Sequence, residues 1–174
     1  MERLSLRYYG DPVLRKTGDT VDVFDDDLRQ FADAMIDTMI RERGIGLAAP
    51  QVGESIRLIV ALEMDDVDDD DARPVVLVNP RVVNKSTETW SWEEGCLSIP
   101  GITAAVIRSR EVEVEYEDLD GATRTIRNNK LFGRILQHEI DHTNGVLFID
   151  HLSSAQKSII KTKLKQISQS EHQA

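Results

Sequence analysis

The sequence predicts an α+β fold. An amphipathic helical pattern lies near the N-terminus, apolar β-branched segments occupy the middle of the chain, and two further helical patterns lie in its last third. Strands followed by helices in a chain of 174 residues are typical of this class. The length fits one domain and no linker or internal repeat divides the chain, so we expect a single domain over residues 1–174.

Three helices are predicted. Apolar side chains recur at three-and-four spacing from Asp25 to Gly44, with acidic residues at the start and glycine at the end. A second helix is expected over residues 130–144, closed by Asn144 and a following glycine. A third begins near Ser153, where Ser153 and Gln156 fit a capping box.

The strands are predicted from β-branched runs at residues 57–62, 75–83 and 102–107, and from alternation at residues 112–116. An Asp-Gly pair at residues 120–121 then predicts a hairpin turn. Six aspartates between residues 65 and 71 indicate a solvated loop rather than an EF-hand, because the glycine and terminal glutamate of that motif are missing.

Composition excludes several functional classes. The net charge of -10 argues against DNA binding, and no apolar run is long enough to span a membrane. A single cysteine fits a reducing compartment, and the N-terminal residues do not resemble a secretory signal. We therefore expect a cytoplasmic protein, and a monomer.

The segment QHEIDH indicates a metal site. His138 and His142 lie four residues apart in a predicted helix, so both imidazoles project from one face, and Glu139 stands beside them as a general base. The long zinc-protease pattern H-E-x-x-H-x-x-G-x-x-H fails at its last position, which is Phe148. A third ligand must come from elsewhere.

Cys96 is the favoured third ligand. A thiolate with two imidazoles suits Zn²⁺, Fe²⁺, Ni²⁺ or Co²⁺ and leaves a fourth position open, which is typical of catalytic sites. Asp150 and His151 remain weaker alternatives. Gly95 before the cysteine permits a close backbone approach or an unusual conformation.

Three motifs together resemble the signature of peptide deformylases: GIGLAAPQVG at 44–53, EGCLSIPG at 94–101 and QHEIDH at 137–142. YYGDPVLRK near the start and GVLFID after the histidines resemble the same family. The resemblance implies antiparallel sheets around a central metal-binding helix, plus an N-terminal and a C-terminal helix. It also implies hydrolysis of the formyl group from N-terminal formylmethionine of nascent peptides, with release of formate.

The resemblance implies a role for each matching residue. Cys96, His138 and His142 would bind one divalent metal, Fe²⁺ in the cell with Zn²⁺, Ni²⁺ or Co²⁺ as substitutes, and Glu139 would be the general acid/base. The Gln51 amide and the Leu97 N–H would stabilise the oxyanion. The remaining residues would contact the substrate: the backbone at Ile45, Gly46 and Gly95, and methionine-pocket walls at Ile45, Trp92 and Leu131.

Two positions depart from the family pattern. Gly133 stands where alanine is usual and Thr143 where leucine is usual. Because glycine inside a helix costs about 1 kcal/mol relative to alanine, we expect Gly133 to weaken the helix and to alter the pocket.

Other functions remain open at this point. A metallopeptidase or another amidase could use the same metal site, and a non-catalytic metal-binding or ribosome-associated module is a third alternative. The last predicted helix carries Lys157, Lys161, Lys163 and Lys165 with no acidic residue between Asp150 and Glu171. These lysines form either a solvated face or a contact with ribosomal RNA.

Overall fold

The computed structural model describes residues 4–170, which form three α-helices and seven β-strands. The helices are α1 (Asp26–Arg41), α2 (Leu131–Thr143) and α3 (Ser154–Ser168). The strands are β1 (Gly46–Ala48), β2 (Leu58–Glu63), β3 (Arg73–Lys85), β4 (Thr89–Cys96), β5 (Ile99–Ser109), β6 (Val112–Glu117) and β7 (Thr123–Asn128). The predicted α+β class is confirmed.

Two antiparallel sheets enclose helix α2. The larger sheet has the order β1-β2-β3-β6-β7, and the smaller one is the β4-β5 hairpin. Helix α2 packs on β1 and β2 of the larger sheet and on β5 of the smaller one. Its apolar side chains, Phe132, Ile135, Leu136 and Ile140 among them, join those of β2 and β6 in one buried cluster. The element that carries both histidines is therefore held on two sides.

The helix ends follow the predicted chemistry. Asp25 caps α1 by accepting a hydrogen bond from the Leu28 N–H at 3.0 Å. Ser153 and Gln156 form the predicted capping box of α3, with bonds of 3.2 and 2.9 Å. In residues 4–170, no helix has the length and apolarity that a membrane crossing needs.

The predicted strands are present, and Gly121 forms the hairpin turn with a positive φ of 78°. The aspartates of residues 65–71 lie in a loop, where Asp65 pairs with Lys130. Strands β1 and β4 were not predicted. Strand β1 has only three residues, and most of β4 is polar or solvent-exposed, so neither carries a clear apolar alternation.

Gly133 corrects one expectation. A Cβ at this position would lie 2.7 Å from the carbonyl oxygen of Asn128, a distance that real side chains do not tolerate. The Asn128 side chain also accepts the Gly133 N–H at 2.8 Å, which satisfies a donor in the first turn of α2. Glycine thus allows the β7–α2 connection to pack closely on the helix, so its role includes more than the cost in helix propensity that the sequence indicated.

Candidate active site

The histidine helix and the end of strand β4 bring three metal-ligand side chains together. His138 and His142 lie one turn apart on α2, with ring centroids separated by 5.1 Å. Cys96, the last residue of β4, places its Sγ 3.4 Å from Nε2 of His142. The donor atoms of the three residues all lie within 4.8 Å of one another, so the trio could hold a metal ion.

The weaker candidates for a third ligand point elsewhere. Asp150 pairs with Arg15 at 2.6 Å, and His151 Nε2 lies 2.8 Å from Asp141. Phe148, where the zinc-protease pattern would need a ligand, stacks on the ring of His138 with centroids 6.0 Å apart. Within residues 4–170, no second group of three such side chains converges in this way.

Glu94 orients His138. Its Oε1 lies 2.8 Å from Nδ1 of His138, which leaves Nε2 directed toward the thiol. Arg108 binds both oxygens of the same carboxylate, at 2.6 and 2.9 Å. Burial alone would raise the pKa of Glu94, but hydrogen bonds from His138 and Arg108 hold this pKa well below its usual range. The carboxylate is therefore ionised at neutral pH.

Arg134 is a second cation on this carboxylate. Its Nη1 donates to Glu94 Oε2 at 2.5 Å and to the Val106 carbonyl at 3.1 Å, while Nη2 donates to the Trp90 carbonyl at 2.7 Å. The guanidinium also lies over the Trp90 ring, 4.8 Å from its centroid. Arg134 thus fastens α2 to both strands of the smaller sheet beside the candidate metal ligands.

The surroundings of the two histidines shift their pKa values in opposite directions. Burial would lower the pKa of His138, but hydrogen bonds with Cys96 and Glu94 raise this pKa above its usual value. Burial, and then the charge of His138, lowers the pKa of His142 well below its usual value. These shifts favour the protonated form of His138 and the neutral form of His142, the form in which an imidazole can bind a metal.

Glu139 is 4% exposed, and its Oε2 has no hydrogen-bond partner in the described residues. Burial raises its pKa to about 7, which is close to the working range of a general base. Gly46 leaves the room that this side chain occupies, since a Cβ there would lie 2.8 Å from the carboxyl carbon of Glu139.

Gln51 is held in one orientation by the backbone. Its Oε1 accepts the Ala48 N–H at 2.9 Å, so Nε2 must face the opposite way, where it lies 3.4 Å from Cys96 Sγ and 3.2 Å from Ser98 Oγ. Leu97 follows Cys96 in the β4–β5 turn, and its N–H has no acceptor within residues 4–170. Gln51 therefore places one donor beside the thiol, and the residue after Cys96 carries a second donor in its backbone.

A cleft of about 560 Å³ opens over these groups. Gly46 of β1 and residues 92–96 of β4 line it, and each of these strands pairs on one side only. Ile45 is 42% exposed, and Trp92 and Leu131 also line the cleft. An extended peptide could therefore add to a free strand edge.

Gly95 differs from expectation. It is absent from the residues with positive φ, and a Cβ would meet only ordinary contacts, the nearest at 3.4 Å from Thr103. The register shifts between Glu94 and Cys96 instead, so the strand pairing is irregular at this glycine. Of the two reasons that the sequence offered for glycine here, a positive φ is therefore not the one that applies.

Sequence reasoning missed the support of the site by Glu94, Arg108 and Arg134. The only local signal was a carboxylate two residues before a candidate cysteine ligand. Arg108 and Arg134 lie 14 and 40 residues from Glu94 in the chain, so only the fold brings the three side chains together.

Comparison with known proteins agrees with this architecture. The family model for polypeptide deformylase matches residues 4–158. The peptide deformylase of Desulfotalea psychrophila is 43% identical over 165 residues, covering 95% of this chain and 96% of the relative. That of Brucella suis is 46% identical over 157 residues, covering 90% and 89%.

Solved structures of peptide deformylases also resemble this fold. A plant peptide deformylase superposes with a TM-score of 0.89 at 37% identity, covering 95% of this chain and 89% of that one. The enzyme from Legionella pneumophila gives a TM-score of 0.85 at 39% identity, covering 95% of both chains.

The fold and the cleft, with a buried glutamate beside a Cys-His-His set, define an α+β hydrolase of the metalloenzyme class. The matches over most of the chain make the assignment specific. The chain belongs to the polypeptide deformylase family, and its activity is removal of the formyl group from the N-terminal methionine of formylated peptides.

Proposed function

We propose that Cys96, His138 and His142 bind one divalent metal, Fe²⁺ in the cell, with Zn²⁺, Ni²⁺ or Co²⁺ as substitutes. The observation that carries the proposal is the convergence of one thiol and two imidazoles within 4.8 Å. The unpartnered Oε2 of Glu139 beside them fits a site that completes its contacts only with a metal and its water. Three protein ligands leave a coordination position for chemistry.

Glu139 serves as the general acid/base. When bound, the metal activates a water molecule and polarises the formyl oxygen. Glu139 accepts the proton of the attacking water and returns it to the departing amine, so that formate and a free N-terminal methionine result. A carboxyl group with a pKa of about 7 suits both transfers near neutral pH.

Gln51 and Leu97 stabilise the oxyanion of the tetrahedral intermediate. The fixed orientation of the Gln51 amide supports this role, because its Nε2 needs no reorganisation as negative charge develops. The Leu97 N–H supplies a second donor from the backbone, so its side chain is incidental to the role.

The substrate is an N-formylmethionyl nascent peptide that lies in the cleft as an added strand. Backbone groups of Ile45, Gly46 and Gly95 pair with it, and the free edges of β1 and β4 support this arrangement. Recognition through the backbone accounts for tolerance of different residues after methionine. Ile45, Trp92 and Leu131 form the apolar wall for the methionine side chain.

A formate-release assay tests these roles. Protein loaded anaerobically with Fe²⁺ should release formate from a formyl-Met peptide, and Glu139→Gln should lower the rate about 10²- to 10⁴-fold with unchanged metal content. Glu88→Gln, an exposed residue next to β4, is the matched control. Internal cleavage of an unformylated peptide would instead favour a metallopeptidase. Unchanged metal content in Cys96→Ala would exclude cysteine ligation.

We also propose a cytoplasmic monomer, folded as one domain, that contacts the ribosome through α3. Lys157, Lys161 and Lys165 line a groove with Arg15, and this basic surface contrasts with the net charge of -10. Salt-dependent ribosome co-sedimentation should be lost when residues 156–174 are deleted, of which 171–174 lie outside the described residues. Unchanged co-sedimentation would reject the contact.

A further inference from the structure

The two proposed oxyanion donors come from parts of the chain that no strand pairing connects. Gln51 lies in the 3-10 helix Ala49–Val52, directly after β1 of the larger sheet. Leu97 lies in the turn between β4 and β5, which form the smaller sheet. Within residues 4–170, no strand of one sheet pairs with a strand of the other. Other contacts must therefore fix the distance between the two donors.

Residues 6–9, which we call the bridging segment, contact both of these turns. The Arg7 N–H donates to the carbonyl oxygen of Gln51 at 2.7 Å. Two residues further on, the Tyr9 N–H donates to the carbonyl oxygen of Ser98 at 2.8 Å. Ser98 directly follows the second donor residue in the chain. One short piece of backbone therefore ties the two turns together.

A side-chain contact closes this arrangement into a ring of hydrogen bonds. Nε2 of Gln51 donates to Oγ of Ser98 at 3.2 Å. Gln51 and Ser98 are both buried, so water does not compete for the bond between their side chains. Because the ring passes through the backbone of the bridging segment, a displacement of that segment would move the two turns relative to each other.

Packing holds the bridging segment in place beside the cleft. Leu6 packs against the apolar cluster of α1 and β2, as the Leu97 side chain also does. Tyr9 packs against the cluster that Cys96 also contacts. Leu6 and Tyr8 line the substrate cleft. The segment therefore has fixed contacts with the core and borders the space in which the reaction takes place.

We propose that the bridging segment is a positioning element for deformylation, which sets the Gln51 amide relative to the Leu97 N–H through its two backbone hydrogen bonds. The inference rests on the oxyanion role proposed above. Both donors must reach the same developing negative charge at hydrogen-bond distance, so a shift of one turn by about 1 Å would weaken the stabilisation. Since the backbone makes these bonds, the Arg7 side chain has no part in the effect.

Comparison of Arg7→Pro with Arg7→Ala in the metal-loaded enzyme tests the proposal. Proline removes the N–H that binds Gln51, whereas alanine keeps this N–H and removes the side chain. Arg7→Pro should lower kcat for a formyl-Met peptide about 10- to 100-fold with unchanged metal content, and Arg7→Ala should keep the wild-type kcat. Wild-type kcat in Arg7→Pro, or equal losses in both variants, would overturn the proposal.

A double-mutant cycle separates positioning from a general effect on the fold. In Gln51→Ala the donor is absent, so adding Arg7→Pro should cause little further loss of kcat. The same fractional loss in both backgrounds would overturn the bridging segment alone. Gln51→Ala by itself should lower kcat about 10²- to 10³-fold. Wild-type kcat in Gln51→Ala would refute the oxyanion role as well, so the two failures are distinguishable.

Two further measurements apply if Arg7→Pro does not fold. A chain lacking residues 1–7 loses the same donor without gaining a proline, and should show the same loss of kcat and the same dependence on Gln51. In the wild type, the amide protons of Arg7 and Tyr9 should exchange at least about 100-fold more slowly than that of Ser5, which has no backbone acceptor in residues 4–170. Wild-type kcat in the shortened chain, or exchange as fast as at Ser5, would overturn the proposal.

Discussion

Replacing the proposed base, Glu139→Gln, should stabilise the metal-free protein at alkaline pH while it lowers activity. Burial raises the pKa of Glu139 from 4.5 to about 7. Since 1.4 kcal/mol corresponds to a tenfold change in an equilibrium, keeping the buried carboxylate ionised costs about 3 kcal/mol. This cost lies in the folded state, where the side chain is 4% exposed.

The direction in which pH changes the free energy of unfolding follows from proton linkage. The folded state holds the Glu139 proton up to about pH 7, whereas the unfolded chain releases it near pH 4.5. Between these values the folded state binds more protons, so the stability contributed by protonated Glu139 is lost as pH rises through this window. Glutamine does not titrate. The free energy of unfolding of Glu139→Gln, relative to wild type, should therefore rise by about 3 kcal/mol between pH 4 and pH 8.

Urea unfolding of chelator-treated protein at several pH values measures this difference. Any constant effect of the new amide cancels, because only the change with pH is compared. Glu88→Gln removes one exposed carboxylate and controls for net charge. Parallel stability profiles for wild type and Glu139→Gln would refute the argument from burial.

Three further predictions follow from close contacts. Gly133→Ala should lower stability by about 1–2 kcal/mol in thermal unfolding, because the clash with Asn128 outweighs the gain in helix propensity; a higher melting temperature would contradict this. Glu94→Gln should weaken Zn²⁺ binding about 10- to 100-fold in chelator competition, since His138 loses its orienting carboxylate; unchanged affinity would exclude that role. Gly46→Ala should displace Glu139 and reduce kcat, with the circular dichroism spectrum retained; wild-type kcat would show that the cleft tolerates a methyl group.

Much of the fold was predictable because its signals are local. The apolar stripe of α1, the acidic residues at its start and the Ser153 capping box depend on residues within one or two turns, and all three are present. Strand β4 could not be recognised in the same way. Its residues are largely exposed, and its pairing with β5 gives no strong period-2 pattern in sequence.

The residues of the candidate site likewise differ in whether a local sequence pattern reveals them. The spacing of His138 and His142 indicates a shared face from sequence alone, because a helix fixes it. Cys96 could be identified as the third candidate ligand only by excluding other residues or by the family resemblance. No local sequence pattern relates Cys96 to the histidine helix. The ion pair between Arg108 and Glu94 was not predictable from the sequence. These side chains come into contact only when β4 pairs with β5 and the helix packs on them.

The carboxylate of Glu94 has a consequence for how the ion enters. Its three partners, His138, Arg108 and Arg134, are all protein side chains, so the His138 ring is aimed before any ion arrives. A metal bound at Cys96, His138 and His142, as proposed, would then meet a ring that is already oriented and would not need the chain to fold around it. The metal-free protein should therefore keep its fold and take up an added divalent ion without refolding.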